Sequence, residues 1–198
     1  MKKSLFLLFL SSLISGVVFA DPVAKLFLEL KHQLQGPNLC VPTSASIILE
    51  YYGDLESPEH LKVLSKGDPT FLGTHYADLI NGMRTLNYFW EMRVVKVDSL
   101  SFVQEVAFIE KELIDHHPPL VDVSTQPHTS PDAHGHTMVV VGFDKESHEL
   151  IFMDPGTSEN YIRRISFKRF EKIWHGARDE KERVTIFTRP KGEHFSMK

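Results

Sequence analysis

The 198-residue sequence holds a single cysteine, Cys40. A solitary thiol serves as a small buried hydrophobe, as a link to another chain, or as a nucleophile. The residues after it point to the third use. Ala45, Ile48, Leu49 and Tyr52 recur at helical spacing and Gly53 follows where helices commonly stop, which predicts a helix over 41–52. Pro42 fits its first turn, where no backbone donor is required. Cys40 therefore stands at a helix entrance, where unpaired N–H groups and the helix dipole favour the thiolate, the form that attacks carbonyl carbon.

A thiol nucleophile needs an imidazole to take its proton and a third group to orient that ring. With eleven histidines in the chain, placement matters more than presence. His136 opens the apolar run Thr137-Met138-Val139-Val140-Val141, and Asp154 closes the next run, just before Pro155-Gly156. If 136–143 and 149–153 pair as a hairpin, both side chains emerge at one end of a sheet, as base and orienter. Taken singly, His136 also reads as a solvated strand-edge histidine and Asp154 as an ordinary turn aspartate. A competing chemistry is a metal site: His128, Asp132, His134 and His136 crowd one stretch, with His116 and His117 nearby. These are zinc-type ligands, but no helical His-Glu-x-x-His pattern and no cysteine pair accompanies them.

Other elements must hold these residues. Leu26, Leu28 and Leu30 alternate over 25–31 as a strand leading to a turn at Gln35-Gly36-Pro37. Ser57-Pro58-Glu59 opens a second helix ending near Lys66-Gly67, and Thr74 is placed to cap a third that carries Tyr76, Leu79, Ile80 and Met83 on one face. Strand patterns follow over 90–97, 120–123, 161–165 and 183–188, with a helix over 102–116 and a short one that Ser166 can cap. Helices first and a largely antiparallel sheet afterwards is an α+β arrangement, two layers meeting along one face.

Lys2 and Lys3, an apolar stretch from Leu5 to Phe19 and a small residue, Ala20, before Asp21 form a signal-peptide pattern over 1–20, shorter in its apolar part than the roughly 18 residues of a membrane span. The expectation is export to the periplasm or medium, a single domain over 21–198 and no stable membrane span after cleavage. The net charge of −4 and the absence of a basic tract exclude a nucleic-acid footprint.

The segment Cys40-Val41-Pro42-Thr43-Ser44-Ala45-Ser46, running to Tyr51-Tyr52-Gly53, resembles the nucleophile helix of the bacteriocin-processing (double-glycine) peptidase-like family of papain-like cysteine peptidases. Gly135-His136-Thr137-Met138-Val139-Val140-Val141-Gly142-Phe143-Asp144, followed by Met153-Asp154-Pro155-Gly156, resembles its second block, and Ile165-Ser166-Phe167-Lys168-Arg169-Phe170 with Trp174 a third. The resemblance implies a papain-like fold, with an N-terminal helical part carrying the nucleophile against a sheet carrying His and Asp. It implies Cys40 as nucleophile, His136 as base, Asp154 as orienter, and a glutamine ahead of the cysteine that donates to the oxyanion. Gln35 is that candidate, five residues ahead of Cys40 where six is commoner; Gln33 stands seven ahead, and Val41 replaces the family's usual glycine. The activity implied is hydrolysis of a peptide or related amide bond through an acyl-enzyme, with a peptide or protein as partner and no cofactor. A non-catalytic binding module on the same fold is the alternative. Leader-peptide processing does not follow, because the family's members that do it belong to larger transporters.

Overall fold

The computed structural model describes residues 23–66, 72–97, 99–124, 135–174 and 182–192. The signal-peptide expectation over 1–20 and the histidine-rich stretch 125–134 lie outside them. In chain order the elements are β1 (Lys25–Phe27), α1 (Cys40–Tyr51), α2 (Pro58–Ser65), α3 (Tyr76–Met83), β2 (Tyr88–Lys96), α4 (Ser99–Ile114), β3 (Leu120–Ser124), β4 (Gly135–Asp144), β5 (Glu149–Met153), β6 (Ile162–Ser166), α5 (Phe167–Ile173) and β7 (Glu182–Pro190). The strands run β2-β7-β3-β4-β5-β6, with β1 also on β4, and every pairing is antiparallel.

The sheet is covered on both faces rather than one. Ile47, Ile48 and Leu49 of α1, Leu61 of α2 and Leu79 and Met83 of α3 pack with Leu120, Val139, Val141 and Ile186. Val106, Ile109 and Leu113 of α4 and Phe170 of α5 pack with Val121, Val123, Met138, Val140 and Phe152. Helices that come later in the chain thus close the second face, which an order of elements alone does not reveal.

Local chemistry explains the boundaries. Ser57 Oγ accepts from the His60 N–H at 3.2 Å and Lys66 closes α2 in the left-handed region, while Gly53 (φ 97°) stops α1. Two expectations are corrected. Thr74 does not cap α3: His75 holds the cap position and the buried Thr74 hydroxyl has no partner among the described residues. The strand expected over 25–31 pairs only through Phe27, because after the Leu28 N–H bonds to Val141 O (2.7 Å) the chain turns away toward the site.

One irregularity shifts the whole face pattern. The β4–β5 register slips between Val140 and Gly142, a bulge that inserts one residue, so Val139 and Val141 face α1 whereas Phe143 joins the opposite core. Just past the bulge, β1 crosses so closely that a Cβ on Gly142 would lie 2.3 Å from Leu26 O. Gly142→Ala is expected to destabilise the fold by about 2 kcal/mol or more, since backbone rather than a side-chain tip must move. A urea melt with an unchanged midpoint would refute this.

Candidate active site

A turn leads the chain into Cys40, the candidate nucleophile. Leu39 N–H bonds to Gly36 O at 3.3 Å across Pro37 and Asn38, and Asn38 adopts φ 60°. Cys40 is then the first residue of α1, and the N-cap, Leu39, offers no side-chain acceptor. First-turn N–H groups are therefore free for the sulfur. Burial pushes the Cys40 thiol up, but hydrogen bonding with His136, backbone hydrogen bonds from Thr137 and Val41 and the His136 charge outweigh it, so the thiol lies below its ordinary range.

The hairpin of β4 and β5 forms as expected and sets Val139 opposite Met153, which brings His136 and Asp154 to the same end. His136 Nε2–H donates to Asp154 Oδ1 at 2.7 Å, and the ring also hydrogen-bonds Cys40. Burial disfavours the imidazolium, yet hydrogen bonds to Asp154 and Cys40 raise His136 to about 9. Burial likewise opposes ionisation of Asp154, but His136, the Gly156 N–H (2.8 Å) and Arg163 hold it at about 2. Arg163 Nε–H donates to Oδ2 at 2.6 Å. All three residues expected from the sequence are thus in one hydrogen-bonded chain.

The two candidate glutamines separate clearly. Both ends of the Gln33 amide are used, Nε2–H donating to Glu50 Oε2 (2.9 Å) and Oε1 accepting from Ser46 Oγ (2.9 Å). Among the described residues, Gln35 is fastened through its backbone, N–H to Pro155 O at 2.8 Å, while its side-chain oxygen is buried with no partner there. Gln35 is the glutamine left available to a ligand.

Several neighbours escaped sequence reasoning. His32 Nε2–H donates to Asp154 backbone O at 3.1 Å and stacks on Tyr161, ring centroids 4.1 Å apart. Nothing in the sequence chooses Arg163 over Arg164; the β5–β6 register does, sending Arg164 to Asp144 and Glu149 instead. Tyr76, Thr137 and Asp122 form a further polar group beside the thiol, and here a signal existed: Asp122 is a charge in the middle of an apolar strand. Of the metal candidates, His136 is engaged as above, His116 Nδ1 faces the Tyr51 hydroxyl at 3.5 Å and His117 Nδ1 lies 3.4 Å from Glu112. His128, Asp132 and His134 fall outside the described residues.

The Peptidase_C39 like family matches residues 26–182. No curated protein matches. Among solved structures, the peptidase domain of Streptococcus ComA, a bi-functional ABC transporter involved in a quorum-sensing pathway, is 23% identical, covers 82% of this chain and 98% of its own, and superposes with a TM-score of 0.53. A double-glycine-motif protease from an AMS/PCAT transporter, solved with the leader peptide, is 14% identical, covering 83% and 94%, with a TM-score of 0.58. Xylellain, a cysteine protease from Xylella fastidiosa, is 12% identical, covering 86% and 87%, with a TM-score of 0.56. The fold common to them is the papain-like one.

Proposed function

Since the chain belongs to the Peptidase_C39 like family of cysteine peptidases and carries a papain-like fold, we propose that it hydrolyses peptide or related amide bonds with Cys40 as nucleophile, His136 as acid and base, and Asp154 as the group that orients the ring. The observation carrying this reading is the imidazole of His136, bonded to Asp154 Oδ1 at 2.7 Å through Nε2 and to the Cys40 thiol as well.

The chemistry follows from that arrangement. The thiolate attacks the carbonyl carbon, and the imidazolium gives its proton to the departing amine, leaving a thioester on Cys40. His136 then takes a proton from water, whose oxygen attacks the thioester and frees the acid. Transfer to an amine is the same chemistry with another acceptor. Charge on the carbonyl oxygen is met by the Cys40 backbone N–H and the Gln35 side chain, whose terminal amide can turn its –NH2 into the position of the unpaired oxygen. Gln35→Ala is expected to lower kcat about 100-fold with little change in KM. A KM effect alone would remove Gln35 from the oxyanion site.

The function itself is tested by titrating the protein with iodoacetamide and following intact mass beside cleavage of a peptide pool. Cleavage falls in proportion to Cys40 alkylation if the reading holds; cleavage that survives complete alkylation refutes it. We also propose export as part of the function, supported by Lys2, Lys3 and the apolar stretch that ends at Ala20. N-terminal sequencing of the protein recovered outside the cytoplasm is expected to begin at Asp21. Among the described residues no helix is long and apolar enough to cross a membrane.

A further inference from the structure

Among the described residues, the most deeply buried acids are each held by an arginine. Glu105, Glu112, Asp144 and Asp154 are each nearly inaccessible. Each carries an arginine: Arg93 on Glu105, Arg189 on Glu112, Arg164 on Asp144 and Arg163 on Asp154. Such pairing is the usual condition for keeping a carboxylate away from water. Asp122 is half-buried in the apolar strand β3, and among the described residues its side-chain hydrogen-bond partner is a hydroxyl, that of Tyr76. No lysine or arginine of the described residues pairs with it.

The position of this unpaired acid is fixed by the sheet. Asp122 is the register partner of Thr137, the residue after His136. Leu120 on β3 and Val139 and Val141 on β4 pack toward α1, so the alternation of strand faces sends Asp122 and Thr137 to that same side. Cys40 begins α1 there, and its sulfur is bonded by the Thr137 backbone. The Tyr76 hydroxyl closes the group, 2.7 Å from Thr137 Oγ1 and in contact with Asp122. A carboxyl, a phenol and a threonine hydroxyl thus lie on the same side of the sheet as Cys40, the phenol feeling its charge and the carboxyl that of His136. Burial pushes Asp122 up to about 7, opposed by its Tyr76 hydrogen bond and the His136 charge, so an incoming cation would meet a carboxyl readily ionised by it.

We propose, on the premise that Cys40 is the peptidase nucleophile, that Asp122 selects substrates by accepting the charged side chain of a lysine or arginine that flanks the scissile bond, with Tyr76, itself bonded to Thr137, holding its carboxylate. The guest supplies what the four buried acids, Glu105, Glu112, Asp144 and Asp154, obtain from an arginine of the fold. A neutral isostere of lysine fills the same space but leaves the carboxylate unpaired, and an acidic residue repels it.

The test uses the full mature chain, wild type and Asp122→Asn. Cleavage of peptide pools is measured with lysine, arginine, norleucine or glutamate scanned through the positions on both sides of the bond, and labelling of Cys40 by peptidyl acyloxymethyl ketones with the same residues is timed. A cationic residue at one fixed position is expected to exceed norleucine by roughly tenfold or more in kcat/KM or in labelling rate, and that ratio is expected to fall to about one in Asp122→Asn. No cationic advantage in wild type, or an advantage that survives in Asp122→Asn, overturns the proposal. Iodoacetamide separates the two failures: a Cys40 that alkylates fast at mildly acidic pH without any cationic preference removes only the role of Asp122, whereas an inert Cys40 removes the peptidase reading and this proposal with it.

Discussion

Cys40→Ala is expected to lower peptide cleavage by at least about 10⁴-fold in kcat/KM. No other cysteine exists in the chain to substitute for it. The remaining oxyanion donors and the His136–Asp154 pair still bind and polarise a substrate, but water would have to attack in place of a sulfur covalently fixed beside the carbonyl. The fold is expected to survive, because alanine is the best helix former and Cys40 is the first residue of α1, with Val41 to Leu49 behind it supplying the buried face. An intact, substrate-binding Cys40→Ala protein is the predicted result. Retention of more than about one per cent of wild-type activity in material free of wild-type protein would contradict it.

His136→Ala comes second in size, an expected loss of about 10³-fold or more in kcat/KM. Its pH signature is more telling than its magnitude. In wild type, Cys40 loses its proton below the ordinary thiol range while His136 keeps its own up to about 9. Thiolate and imidazolium therefore coexist across neutral pH, titrating as a pair. On the proposed mechanism, activity is expected to rise on the acid side as Cys40 ionises and to fall toward pH 9 as His136 loses the proton it would give to the leaving amine. Without the imidazole, burial acts on Cys40 opposed only by the Thr137 and Val41 backbone hydrogen bonds. The thiol then moves up to or above the usual range, and its iodoacetamide rate at pH 5.5 is expected to drop about 100-fold. An alkylation profile that His136→Ala leaves unmoved would mean that α1 alone activates the sulfur.

Much of the site was readable because its residues sit at the ends of regular patterns. Cys40 precedes a helical period, His136 opens a strand, and Asp154 closes the next, so that helix and hairpin geometry alone bring them to common ends. What lies between elements was not readable in the same way. Whether Arg163 or Arg164 meets Asp154 depends on the register of β6 against β5, and the bulge at Val141 reverses face parity partway along β4, beyond the reach of a period-2 reading. The placement of α4 and α5 over the second face needed tertiary packing: their apolar positions say that they bury something, not against what. Gln33 and Gln35 were distinguishable only by partners contributed by α1, Ser46 and Glu50.

The arm between β1 and α1 is sewn to the end of β5, through Gln35 to Pro155 and through His32 to Asp154, a pairing of residues 122 positions apart. That span has a temporal meaning. A ribosome delivers Cys40 and the local contacts of α1 early, yet the arm has nothing to dock on until the β4–β5 hairpin has been made, and contacts of such separation are among the last a folding chain forms. The base and the docking strand of the arm arrive together on that one hairpin. Until then the growing chain lacks the His136 hydrogen bond and charge that lower the Cys40 thiol.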